Sequence, residues 1–305
     1  MDPGKVIHDV RIRKQAEFEW IKEVIIMSES CEKSSCAGCA SAGNCSKQPQ
    51  SLLEAPNPYS EIKCVIGINS GKGGVGKSFV TASLASAMTA AGYRVGILDA
   101  DITGPSIPKM YGLHGPAVAD ERGVLPIPAA DGTKIMSINL LMEDEEAPVV
   151  WRGPILAGTV KQFWNEVCWG TLDYLFVDMP PGTGDVPLTV FQSLPIDGVI
   201  IVTSPQDLVT LIVKKAYNMT QMMDIPVIGV IENYSYMICP CCGEKIPVFG
   251  ESGIEDVTKE LGIDVLGKIP VNPEYAEAVD RGEFASLQVP GLENALEKLR
   301  ALNAK

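Results

Sequence analysis

At 305 residues, 46% hydrophobic and 21% charged, the chain has room for one large α/β domain with appendages and an ordinary soluble balance. Its formal net charge of −13 repels phosphate backbones and argues against nucleic-acid partners. No apolar run reaches the roughly 20 residues that span a bilayer, and charges break every apolar stretch before Met27, so neither a membrane anchor nor a signal peptide is expected.

Nine cysteines without an export signal point to a reducing, cytoplasmic setting and to metal binding rather than disulfides. The two histidines, His8 and His114, stand at no metal-ligand spacing from a cysteine cluster, so any metal site is thiolate-rich. Residues 1–57 read as an N-terminal extension. Residues 1–26 differ in character from the rest, and Met27 is a plausible alternative start. Phe18, Trp20, Val24 and Ile25 alternatively make a short docked helix. A polar segment with Cys31, Cys36, Cys39 and Cys45 follows, too poor in apolar residues to fold alone, and it ends in the loop-like Glu54–Pro58 stretch.

Residues 58–305 repeat the order strand, loop, helix. Strands are expected at 62–69, 94–98, 172–177, 198–202, 226–231 and 264–269, and helices at 78–91, 155–164 and 208–223. Short apolar strands alternating with helices predict an α/β fold, a mostly parallel, doubly wound sheet covered on both faces. The amphipathic tail, residues 292–302, suits packing on that sheet better than membrane targeting, because it is short and only weakly basic. Cys64 and Cys168 read as small core residues.

Between the first strand and helix, Gly71-x-x-x-x-Gly76-Lys77-Ser78 fits the Walker A pattern in its proper context. The glycines let the backbone N–H groups of Gly71, Gly73, Gly74, Val75 and Gly76 curl around phosphates, and the helix start adds partial positive charge. Lys77 is then placed for the β- and γ-phosphates and Ser78 for Mg²⁺, with ATP as the nucleotide. Asp178, closing an apolar strand, has the Walker B form, and the glycine-rich 179–185 loop suits γ-phosphate sensing. Of Asp99 and Asp101, one carboxylate can orient the attacking water; a plain loop-capping role fits Asp99 better.

Lys72 makes Gly-Lys-Gly-Gly-Val-Gly-Lys-Ser resemble the deviant-Walker class of P-loop NTPases, which holds the nitrogenase iron protein, MinD and ParA proteins and the Mrp/ApbC family. That resemblance implies that Lys72 crosses a dimer interface to the partner's nucleotide. It also implies a homodimer with two ATP sites and Asp101 as the water-positioning carboxylate; the plain alternative for Lys72 is a solvated loop lysine. Residues 98–108, 151–154, 178–185, 231–237 and 239–244 together resemble the Mrp/ApbC family, in its motif order. The likeness implies an ATP-dependent iron–sulfur cluster carrier or scaffold. In it Asn233 would read the adenine base, unless it merely ends a strand. Cys239 and Cys242 would hold a [4Fe–4S] cluster bridged across the homodimer and passed to apo iron–sulfur proteins. Two thiolates from each subunit make up the four such a cluster takes. A zinc knuckle shares this Cys-x-x-Cys spacing, and Cys241 departs from the family pattern as a third thiol. Cys36, Cys39 and Cys45 are similar to the ferredoxin-type site of one branch of the family, whose first cysteine lies farther upstream than Cys31 does here; with Cys31 as the fourth thiol the likeness implies a second [4Fe–4S] cluster, and a zinc site and a disordered thiol tail are the alternatives. Two rival functions are a MinD- or ParA-like positioning ATPase and an ATP-coupled electron-transfer protein. The acidic charge and thiol clusters weigh against the first, and the tight Cys-x-x-Cys spacing against the second.

Overall fold

The computed structural model describes residues 52–142, 153–205 and 209–303. The N-terminal cysteines Cys31, Cys36, Cys39 and Cys45, and Trp151 and Arg152 of the family-like stretch, lie outside the described residues.

Nine strands make one sheet: β1 (Val65–Asn69), β2 (Val95–Asp99), β3 (Ile127–Pro128), β4 (Lys134–Met136), β5 (Tyr174–Asp178), β6 (Gly198–Thr203), β7 (Val227–Ile238), β8 (Lys245–Ile246) and β9 (Val265–Val271). Their order is β8-β7-β6-β1-β5-β2-β4-β3, with β9 also paired to β7. All pairings are parallel except β3–β4 and β7–β8 at the margins. Every residue of β1, β2, β5 and β6 is buried, as apolar runs without polar alternation require of strands covered on both faces.

Helices α1 (Lys77–Ala90), α2 (Ile107–Met110), α3 (Gly153–Asn165), α4 (Asp185–Ser193), α5 (Val209–Met222), α6 (Ile254–Leu261), α7 (Pro273–Asp280) and α8 (Glu293–Asn303) supply the two covers. Successive strand residues feed opposite cores. Leu98, Val177, Val199 and Ile201 pack with α3, α4, α5 and α6; Ile97, Phe176, Ile200 and Val202 pack with α1, α2 and α8. The tail is α8, whose Ala295 and Leu299 are fully buried and whose Leu299 carbonyl accepts from the Tyr174 hydroxyl at 2.9 Å. Cys64 and Cys168 are buried, and burial pushes the Cys64 thiol up to about 12. The chain entering the domain is tied down by the Trp164 indole donating to the Glu54 carbonyl at 2.9 Å and by the Asn57 amide donating to the Arg122 carbonyl at 2.9 Å. Among the described residues no helix is long and apolar enough to cross a membrane.

One expected element differs in an informative way. The strand expected at 226–231 runs on as β7 to Ile238, past Asn233. It does so through a bulge: register shifts between Glu232 and Tyr236, and Tyr234 takes φ 59°. Asn233 therefore sits inside a strand that continues to the cysteine turn.

Candidate functional site

Parallel pairing puts the C-terminal ends of β1, β2 and β5 side by side, with Asp178 opposite both Ile68 and Asp99. In such sheets ligands bind at this edge. The loop from Ser70 to Gly76 leaves β1 there and feeds α1. Gly74 (φ 79°) and Gly76 (φ 77°) make the left-handed turns that a side chain would oppose. A Cβ on Gly76 would also run into the Asn233 amide, with the Tyr234 hydroxyl 3.0 Å away.

Lys77, 6% exposed, places Nζ 2.8 Å from Asp178 Oδ2 and 3.7 Å from Asp101 Oδ2. Ser78 Oγ donates to Asp178 Oδ2 at 2.6 Å, and Thr81 Oγ1 to Asp178 Oδ1 at 2.7 Å. The fully buried Asp178 is thus satisfied on both oxygens, as a buried carboxylate must be. Ser78 and Asp178 bring a hydroxyl and a carboxylate together, a hard-oxygen pair that fits Mg²⁺. Asp101 stays at the pocket surface, its Oδ1 accepting from Thr103 Oγ1 at 3.3 Å. Burial raises its carboxyl, and the nearby Lys77 ammonium pulls it back. Asp99 is wholly buried. It accepts from the backbone N–H of Asp101 (3.2 Å) and Ile107 (3.4 Å) and from Ser137 Oγ (3.2 Å), which is the capping role expected of it. Burial, then repulsion from Asp178, pushes its carboxyl up to about 8.

Lys77, Ser78 and Asp101 line a cavity of about 550 Å³ that also takes in Asn233, Tyr234, Phe79, Pro270 and Tyr275. Asn233 Nδ2 donates to the Val75 carbonyl at 3.0 Å, so it braces the loop as well as lining the cavity. Phe79 and Tyr275 face each other at 5.3 Å between centroids and give the cavity an apolar wall suited to a planar base. Sequence reasoning missed Thr81, Tyr234, Pro270 and Tyr275. For Pro270 and Tyr275 the available signal was the Pro-Val-Asn-Pro stretch in which β9 ends and α7 begins, where Asn272 caps α7 by accepting from the Glu274 N–H at 3.1 Å. Lys72 is half-buried on the loop, its carbonyl accepting from Ser70 Oγ at 3.0 Å. The 179–185 loop is held to the same edge by the Gly182 N–H donating to the Ser70 carbonyl at 2.7 Å.

The second group of predicted residues lies at the far end of β7. Cys239 begins a turn that returns as β8, closed by the Cys239 N–H donating to the Glu244 carbonyl and the Gly243 N–H donating to the Cys239 carbonyl, both at 2.9 Å. Cys239 is half-buried; Cys241 and Cys242 are exposed. The N–H groups of Cys242 and Cys241 point at the Cys239 sulfur and, with the Cys242 and Cys241 thiols, hold it below the usual thiol range. Such N–H···S bonds ready a sulfur for a metal. Among the described residues no set of three His, Cys, Asp or Glu side chains is placed to hold a metal ion.

Against known proteins, a family profile described as NUBPL iron-transfer P-loop NTPase, within the ParA group, matches residues 61–303. An iron–sulfur cluster carrier protein of Methanocaldococcus jannaschii is 47% identical over 253 residues, covering 81% of this chain and 87% of that one. One of Clostridium perfringens is 43% identical over 263 residues, covering 83% and 92%. Among solved structures, a nucleotide-binding protein from Archaeoglobus fulgidus in complex with ADP superposes with a TM-score of 0.67 at 40% identity, covering 74% of this chain and 88% of that one. The cell division ATPase MinD of Pyrococcus furiosus, at 19% identity and a TM-score of 0.58 over 79% of this chain and 99% of that one, shares the fold.

Proposed function

The chain belongs to the family of NUBPL iron-transfer P-loop NTPases, and from that premise we propose that it is an ATP-hydrolysing iron–sulfur cluster carrier. It works as a homodimer whose two Cys239–Cys242 turns share one [4Fe–4S] cargo and release it to apo-proteins. The observation that carries this reading is that β7 joins the two sites. Asn233 of β7 is bonded to the phosphate loop, and the same strand runs directly into Cys239.

At the nucleotide end, the N–H groups of the Gly71–Gly76 loop and the start of α1 bind the phosphates. Lys77 moves from Asp178 toward the competing phosphate charge, and Lys72 of the partner adds a second cation where charge develops. Ser78 and Asp178 hold Mg²⁺, which neutralises phosphate charge when bound. Asp101, exposed to the cavity, orients the attacking water. At the other end the two thiols of one turn supply half of the ligands a four-iron cluster takes, so the cargo itself depends on two subunits.

Anaerobic reconstitution tests this. Full-length protein with Cys31, Cys36, Cys39 and Cys45 replaced by Ser should load about four iron and four sulfide per two chains, and adding Cys239→Ala and Cys242→Ala should abolish loading. Full loading of that last variant removes the bridging site. Stoichiometric zinc in place of iron in anaerobically purified protein would favour the knuckle instead.

A further inference from the structure

Cys241 is the thiol that the carrier reading leaves without a task. It stands in the same turn as Cys239 and Cys242, and it is exposed. The three thiols are not equivalent. Cys239 is half-buried, and its backbone N–H and carbonyl are both committed to closing the turn. The backbone bonds that close the turn hold Cys239, Cys241 and Cys242 within five residues of one another. Two exposed thiols therefore flank one anchored cysteine in a single turn.

We propose, on the premise that the turn carries a cluster, that Cys239 is the fixed ligand and that Cys241 and Cys242 are interchangeable second ligands. Cys242 serves while the cluster is held, and Cys241 takes its place during hand-over. In the exchange an Fe–S bond to Cys241 forms as the Fe–S bond to Cys242 breaks. The proton leaving the Cys241 thiol ends on the Cys242 thiolate, through solvent. Iron and sulfur keep their oxidation states, so no oxidant or reductant is involved. A carrier has reason for such a spare. Releasing a cluster requires its ligands to be replaced one at a time, and a neighbouring thiol lets the first bond break without leaving an iron open to water.

Full-length protein with the four N-terminal cysteines replaced by Ser, reconstituted anaerobically, gives the test. Three results are expected. Iodoacetamide labels Cys241 of the loaded protein and spares Cys239 and Cys242. Cys242→Ala still loads, through Cys241, whereas Cys241→Ala with Cys242→Ala does not. Cys241→Ala loads as fully as its parent but passes its cluster to the apo form of a bacterial-type ferredoxin roughly tenfold more slowly, the size of effect typical of losing a group just outside a metal's ligands. Cys241 protected from labelling would make it a resting ligand and overturn the proposal. So would loss of all loading in Cys242→Ala, or an unchanged transfer rate in Cys241→Ala. If the parent protein takes up no iron and sulfide, the carrier reading fails as well; if it loads normally and only these outcomes fail, the exchange role alone is lost.

Discussion

Three carboxylates, Asp99, Asp101 and Asp178, face the Lys77 ammonium where β2 and β5 end, and that imbalance decides how each behaves. Asp178 has the ammonium and two hydroxyls, Asp101 has solvent, and Asp99 has only two backbone N–H groups and the Ser137 hydroxyl, so burial and then Asp178 push its carboxyl up to about 8. Because the folded-state value is raised above the ordinary carboxyl value of 3.8, the folded state keeps a proton that the unfolded chain has lost. The contribution of Asp99 to stability is therefore whole below about pH 4 and is lost as pH rises toward 8. Asp99→Asn, which keeps the shape and cannot ionise, removes this slope. Denaturant midpoints measured between pH 4 and 8 should show the variant gaining steadily on the parent with rising pH, and a constant difference would place the charge elsewhere. In the sequence it was the resemblance to the deviant-Walker class that set Asp101 apart from Asp99. The raised carboxyl of Asp99 was not legible, since it depends on burial and then on Asp178, a residue distant in sequence that only the strand register brings alongside.

Among elements, the phosphate loop and β7 form one unit, and Gly76 is where they touch. Its φ of 77° disfavours any side chain by about 1–2 kcal/mol, and the space a Cβ needs is filled by the Asn233 amide. Gly76→Ala should lower the melting temperature and abolish binding of a fluorescent ATP analogue, because the Asn233 amide must leave Val75 to make room. Gly73→Ala is the control, with φ outside the left-handed region and Pro181 Cγ, 3.9 Å away, the one atom a Cβ there would meet. It should keep the parent's melting temperature, so equal losses in the two would argue against the Asn233 contact. The glycine loop, β1 and α1 were readable because their pattern is local and their lengths ordinary. The run of β7 past Ile231 was hidden, because Glu232, Asn233 and Ser235 look like a polar strand end. They are buried polar groups bonded to one another's surroundings: the Glu232 carboxylate accepts from Ser235 Oγ at 2.6 Å and also from Ser252 Oγ. Short edge strands such as β3 and β8 carry no periodicity of their own and exist only through their pairing.

At the scale of the whole molecule, the central part of the doubly wound sheet was legible, since short apolar runs alternating with helices admit few other architectures. What a single chain leaves open is Lys72, on the loop but with its proposed task in a second copy. Complementation separates the two possibilities. If each ATP site combines Lys77 of one chain with Lys72 of the other, then Lys72→Ala and Lys77→Ala are each inactive as homodimers. A mixed dimer of the two, however, regains one complete site, built from the intact Lys77 of the first chain and the intact Lys72 of the second. Random pairing makes half the dimers mixed, each with one working site of two, so co-expressed variants should show about a quarter of the parent's ATPase rate. If Lys72 serves its own chain's nucleotide, every site in the mixture lacks one lysine and the rate stays at that of the separate variants. Measured beside cluster release from the same mixture, the experiment also tests whether one working nucleotide site is enough to move a cargo that two subunits hold.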